Sequence, residues 1–182
     1  VPVDANTALA IRFAARQSGS IERASFNIKF DFERAGYHGG DCGELEVTLR
    51  PDESGVPSEE LLGRMVFTDP CSGAGDIGHL VDAAFETPVE VIGGEVYHLV
   101  FSNLDPDPGN FVSINLLNWP DDRGPAYQLA TGDGVLSVQA RGSAYWSGND
   151  TDAWGQSEVL ETLYPAFELH YPHMVERMRA EA

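Results

Sequence analysis

Three tryptophans, Trp119, Trp146 and Trp154, are the side chains of this sequence best equipped to meet a ligand. Each stands among turn-forming polar residues, in Asn-Trp-Pro-Asp-Asp-Arg, Tyr-Trp-Ser-Gly-Asn-Asp and Asp-Ala-Trp-Gly-Gln, rather than inside an alternating strand. Flat rings accept the CH faces of sugars, and nearby polar side chains fix orientation by hydrogen bonds. Tyr127 and Tyr145 would widen such a platform, Asp121 would accept from hydroxyls, and Arg123 and Arg141 would donate to hydroxyls or to an acidic sugar. The competing role for each tryptophan is a plug that lids the end of a core.

The stretch 146–154 also carries Asn149, Asp150 and Asp152, whose oxygens could hold a structural Ca2+. It lacks the Gly and terminal Glu of an EF-hand loop, and solvated turn residues are the plainer expectation. Asp105, Asp107 and Asn110 offer a second oxygen set, although Asp-Pro-Asp-Pro-Gly-Asn reads first as a rigid turn in which Asp and Asn cap the flanking backbone. No certain cofactor follows from either run.

Catalytic patterns are absent. Glu44, Glu46, Glu86, Glu90, Glu158 and Glu161 could supply paired carboxyls, but with 29 Asp+Glu against 11 Lys+Arg their abundance is uninformative. His38, His79, His98, His170 and His173 are dispersed without HxH or HExxH spacing, and Ser18-Gly19-Ser20 is not a nucleophile elbow. The expectation is a protein that is not an enzyme.

A net charge of -18 opposes nucleic acid and anionic lipid surfaces as partners. No apolar run approaches the roughly 18 residues of a membrane span, so membrane insertion is not expected. Lys29 is the only lysine, a bias that base composition and a saline habitat explain equally well. Cys42 and Cys71 sit in Gly-Gly-Asp-Cys-Gly and Asp-Pro-Cys-Ser-Gly, polar loops where free thiols would be exposed. A Cys42–Cys71 disulfide, contributing about 3 kcal/mol by loop closure, is the economical reading and predicts an extracellular setting. Two unrelated thiols in a cytoplasmic protein are the alternative.

These residues need a scaffold, and the apolar pattern provides one of period two. Leu9, Ile11 and Phe13, then Phe26, Ile28 and Phe30, then Leu45, Val47 and Leu49 alternate with polar neighbours, as half-buried antiparallel strands do. Further strands are predicted at 61–68, 85–92, 96–102, 111–116, 126–130, 135–141 and 163–171, giving about ten in all, with Gly and Pro clusters between them. The pattern predicts one all-β, antiparallel β-sandwich domain over 1–182. Residues 1–8 form an extended lead-in, 58–62 a single helical turn or a loop, and 172–182 a short C-terminal helix or tail. A start at Val1 without Met reads as a piece of a longer protein or a processed product.

The segment Gly-Gly-Glu-Val-Tyr-His-Leu-Val-Phe-Ser-Asn-Leu-Asp-Pro-Asp-Pro-Gly-Asn-Phe-Val-Ser-Ile-Asn (93–115) resembles jelly-roll-like β-sandwich domains of bacterial secreted carbohydrate-active proteins and of phage-like or gene-transfer-agent receptor-binding spikes. Residues 11–21 and 43–52, with Val-Pro-Ser at 56–58, are similar to the same group, whereas the chain from Trp119 onward matches nothing in it. The resemblance implies a jelly-roll fold and a module that binds a polysaccharide or cell-surface glycan without catalysis. It would act as part of a larger protein, outside the cell, at a cell surface or on a virion-like particle. A structural domain of a spike or fibre, contacting neighbouring subunits, is the rival expectation; a small glycoside hydrolase or polysaccharide lyase is the third.

Overall fold

The computed structural model describes residues 2–15, 17–29, 42–70, 79–114, 116–118, 137–143, 150–155, 163–165 and 167–170. These residues are all-β and antiparallel, with no helix among them. The strands are β1 (Pro2–Val3), β2 (Thr7–Ala14), β3 (Gly19–Lys29), β4 (Leu45–Glu53), β5 (Val56–Pro57), β6 (Gly63–Phe67), β7 (His79–Val91), β8 (Val96–Asn103), β9 (Val112–Ile114), β10 (Leu116–Asn118), β11 (Ser137–Ser143), β12 (Asp150–Gly155), β13 (Leu163–Pro165) and β14 (Phe167–His170). They outnumber the ten expected, because pieces two or three residues long pair where the alternation is too short to read.

A seven-stranded sheet runs β12-β11-β2-β8-β4, with β6 and β5 sharing the outer edge of β4. A five-stranded sheet has β3 at its centre: β7 lies along one edge, β9 and β14 in tandem along the other, and β1 beyond β9. β10 and β13 form a separate pair. The two larger sheets share one apolar core. Leu9, Ile11, Leu45, Leu49, Leu99 and Phe101 of the first sheet and Ile21, Phe26, Ile28 and Ile114 of the second are all buried in it. Phe26 sits at its centre, edge-on to Phe101 at 5.1 Å and to Phe67 at 5.6 Å. Such edge-to-face contacts add about 1 kcal/mol each beyond burial.

One irregularity explains what period two alone misses. Ile21 is odd-numbered while Ala24, Phe26 and Ile28 are even, yet all four are buried. The β3–β7 register shifts between Ile21 and Arg23, so Glu22 and Arg23 are exposed in succession and the parity resets. Across from them, the stretch from Phe85 to Val89 carries Pro88 on the edge strand β7, where a missing N–H interrupts no ladder bond to β3.

Of the two expectations for 58–62, the structure forms the loop and not the helical turn. Ser58 Oγ instead accepts from the Glu60 N–H at 3.0 Å, and the Leu62 N–H donates to the Leu49 carbonyl at 2.9 Å, leading straight into β6. The expected strand at 126–130 and the tail at 172–182 lie outside the described residues. At one end of the sheets the β2–β3 and β7–β8 connections are bonded together: Gly94 N–H to the Ala15 carbonyl at 2.7 Å, and Gly93 N–H to Ser18 Oγ at 2.8 Å. A Cβ on Gly93 would stand 2.9 Å from the Gln17 Cα, so this contact requires glycine.

Candidate binding surface

Of the residues expected to bind a ligand, the structure brings Arg141 and Trp154 together. The Arg141 guanidinium carbon lies over the Trp154 ring, 5.2 Å from its centroid. Trp154 is half-buried and Arg141 exposed. The backbone explains the approach. β11 and β12 pair at Ala140–Gly155 and again at Gly142–Thr151, so a β-bulge sets Asp152, Ala153 and Trp154 against Arg141 alone. Bulges of this kind re-aim side chains at sheet edges.

Trp154 thus corrects the expectation of a tryptophan in a loop. Asp-Thr-Asp-Ala-Trp-Gly has the composition of a turn, but pairing with β11 makes it an edge strand. Asp150 and Asp152 belong to the same strand. Among the described residues no cluster of three or more His, Cys, Asp or Glu side chains is placed to hold a metal ion. Trp119, Asp121, Arg123, Tyr127, Tyr145, Trp146, Asn149 and Cys71 lie outside the described residues.

Strand register assigns Arg141 to a face of the seven-stranded sheet. Arg141 is opposite Ala8; Ala10, Val100, Thr48 and Arg64 form the next row; Arg12, His98 and Arg50 form the one beyond. These residues alternate with the core positions Leu9, Ile11, Leu49 and Leu99, so they occupy the face opposite the core. Of the arginines whose side chains are described, Arg12, Arg50, Arg64 and Arg141 share this face and only Arg23 does not.

Sequence reasoning passed over the polar centre of that face. Asp52 Oδ1 accepts from Arg12 Nε at 2.7 Å and meets His98 Nε2 at 2.8 Å, while its Oδ2 accepts from the Gly55 N–H at 2.9 Å. Burial on its own would raise the Asp52 pKa, but the bonds from Arg12, Gly55 and His98 and the Arg12 charge outweigh it and hold the carboxyl at about 2. Burial lowers the His98 pKa, against the pull of Asp52. The neutral ring therefore donates from Nε2, and its Nδ1 lone pair is buried without a partner. A His–Asp pair is the start of a hydrolytic site, but this ring has no exposed surface and no nucleophile at Nδ1. Its role is to fasten β2, β4 and β8 across the sheet.

Asn103 is the second polar centre. Its Oδ1 accepts from the N–H groups of Glu44 (3.2 Å) and Asp105 (3.0 Å), and its Nδ2 donates to the carbonyls of Cys42 (3.0 Å), Asn110 (2.9 Å) and Val3 (3.4 Å). The loop beyond is the rigid turn the sequence predicts. Asp105 Oδ1 accepts from the Asp107 N–H, Asp107 Oδ1 from the Gly109 N–H, and Asp105 Oδ2 from Asn110 Nδ2. Cys42 and Gly43 pass Asn103 with φ of 71° and 66°, and a Cβ on Gly43 would come within 2.5 Å of Asn103 Oδ1. Cys42 is fully buried rather than exposed, and no cysteine among the described residues is a free thiol.

Comparison with protein families, with curated proteins and with solved structures finds no match to this chain.

Proposed function

We propose that this protein is a non-catalytic carbohydrate-binding module built on a jelly-roll-like β-sandwich. The observation that carries the reading is the Arg141–Trp154 pair, a half-buried ring with a guanidinium over it, aimed by a bulge at the edge of the seven-stranded sheet. A flat apolar surface beside a multivalent donor is what a polyhydroxylated ligand needs. The other tryptophans, with Asp121, Arg123, Tyr127 and Tyr145, would extend the surface, and the ligand would be a polysaccharide or cell-surface glycan.

A glycan array tests this reading. Trp154→Ala is expected to weaken binding to the retained glycan about tenfold, the loss of roughly 1.4 kcal/mol of stacking, while the protein still melts cooperatively. An array with no retained glycan sinks the reading. So does a Trp154→Ala variant that binds unchanged. Loss of self-association in that variant would favour the spike or fibre domain instead.

A secreted or particle-borne setting belongs to the same proposal. Cys42 carries no free thiol and the sequence has two cysteines, which supports a Cys42–Cys71 disulfide. Intact mass after alkylation without reductant should be that of the unmodified chain. Recovery of two alkylated thiols would remove the argument for an oxidising compartment.

A further inference from the structure

We propose that the sugar taken by the Arg141–Trp154 pair is acidic, its carboxylate received by Arg141 while its ring lies against Trp154. This rests on the carbohydrate-binding reading and narrows it to a chemical class.

In a chain with 29 Asp+Glu, the described arginines other than Arg141 are all engaged in hydrogen bonds. Arg12 bonds Asp52 at 2.7 Å, Arg23 bonds Asp82 at 2.8 Å, and Arg64 bonds Glu46 at 2.6 Å and Glu86 at 3.0 Å. Arg50 donates to Thr48 Oγ1 at 3.1 Å and to the Ser58 carbonyl at 3.3 Å. Among the described residues, Arg141 alone of these arginines meets neither carboxylate nor carbonyl. It is exposed and held on an aromatic ring. Contact with a π face uses none of the N–H donors in a hydrogen bond, so it positions the planar fork and leaves its donors to another partner. Such a fork matches a carboxylate in two parallel bonds, whereas a neutral hydroxyl needs no charge to bind it.

The surroundings favour the same ligand. Arg141 lies on the face that also carries Arg12, Arg50 and Arg64, while the protein as a whole is at -18. An anion repelled elsewhere on the molecule meets at Arg141 an exposed guanidinium that has no carboxylate partner among the described residues. Because the net charge opposes ion-exchange binding, retention of a polyanionic sugar reports a local contact.

The experiment compares a panel of oligouronates (galacturonate, mannuronate and glucuronate-containing) with their carboxyl-reduced counterparts by calorimetry, on the wild-type chain and two variants. At least one oligouronate should bind about tenfold more tightly than its reduced form. Arg141→Gln should remove that difference, weakening the oligouronate about tenfold more than its reduced form, whereas Trp154→Ala should weaken both by a similar factor. Melting curves of both variants establish that they are folded. If reduced and native forms bind alike, or Arg141→Gln affects both equally, the acidic assignment is overturned while carbohydrate binding stands. If no member of the panel or its reduced form binds, both are overturned.

Discussion

Replacing Asn103 with alanine is expected to destabilise the protein by about 3–4 kcal/mol, the largest loss from any single polar side chain described above. The side chain is buried and serves the Glu44 and Asp105 amides and the Cys42, Asn110 and Val3 carbonyls, all of which lose their bond to it at once. Asn103→Asp separates hydrogen bonding from packing. The shape is kept, but an acceptor oxygen would then face three carbonyls, and the loss should be of similar size. Urea unfolding of both variants gives the comparison. An aspartate variant within ~0.5 kcal/mol of wild type would show that the network contributes little and that the side chain matters only by its volume.

The second large effect is a pH-dependent one at Asp52. Its carboxyl is held at about 2 against an ordinary 3.8 and is only 16 % exposed, so the ionised form favours the folded state. A depressed carboxylate pKa gives stability that is complete above pH 3.8 and lost as pH falls toward 2, about 2 kcal/mol here. His98 acts at milder acidity. Its lowered pKa means that below 6.5 the unfolded chain takes up a proton before the folded one does, and stability declines from that point. Asp52→Asn should cost about 2–3 kcal/mol at neutral pH, and the gap to wild type should close as pH falls from 3.8 to 2. A gap that stays constant across that range would mean that the Asp52 charge plays no part.

The sheets were legible because burial leaves its mark on alternate residues. Leu9, Ile11 and Phe13 or Leu45, Val47 and Leu49 declare both strand and face. What period two could not reveal is which strand lies beside which, and the polar centres depend on that. Arg12, Asp52 and His98 come from three strands and meet only because β2 and β4 both flank β8. Asp52 did leave a trace, since Asp-Glu-Ser-Gly is a turn in which an Asp side chain caps the glycine amide, but its second partnership was invisible. Arg141 and Trp154 were picked out for their chemistry, whereas the strand that carries Trp154 was missed. Asp, Asn and Gly around it imitate a loop, and only pairing with β11 overrides that local preference.

The pairing order also governs how this chain reaches its folded state. β2 is flanked by β8 and β11, and β3 by β7, β9 and β14, so most ladders join segments far apart in sequence. Few short-range contacts can form first and hold the chain while the rest assembles. Such topologies fold on the slow side, in milliseconds to seconds, because large loops must close before any contact repays their entropy. The Asn103 bond to Val3 spans 100 residues and requires both sheets to be in place. If that bond forms after the rate-limiting step, Asn103→Ala should speed unfolding and leave the folding rate unchanged, as stopped-flow kinetics would show.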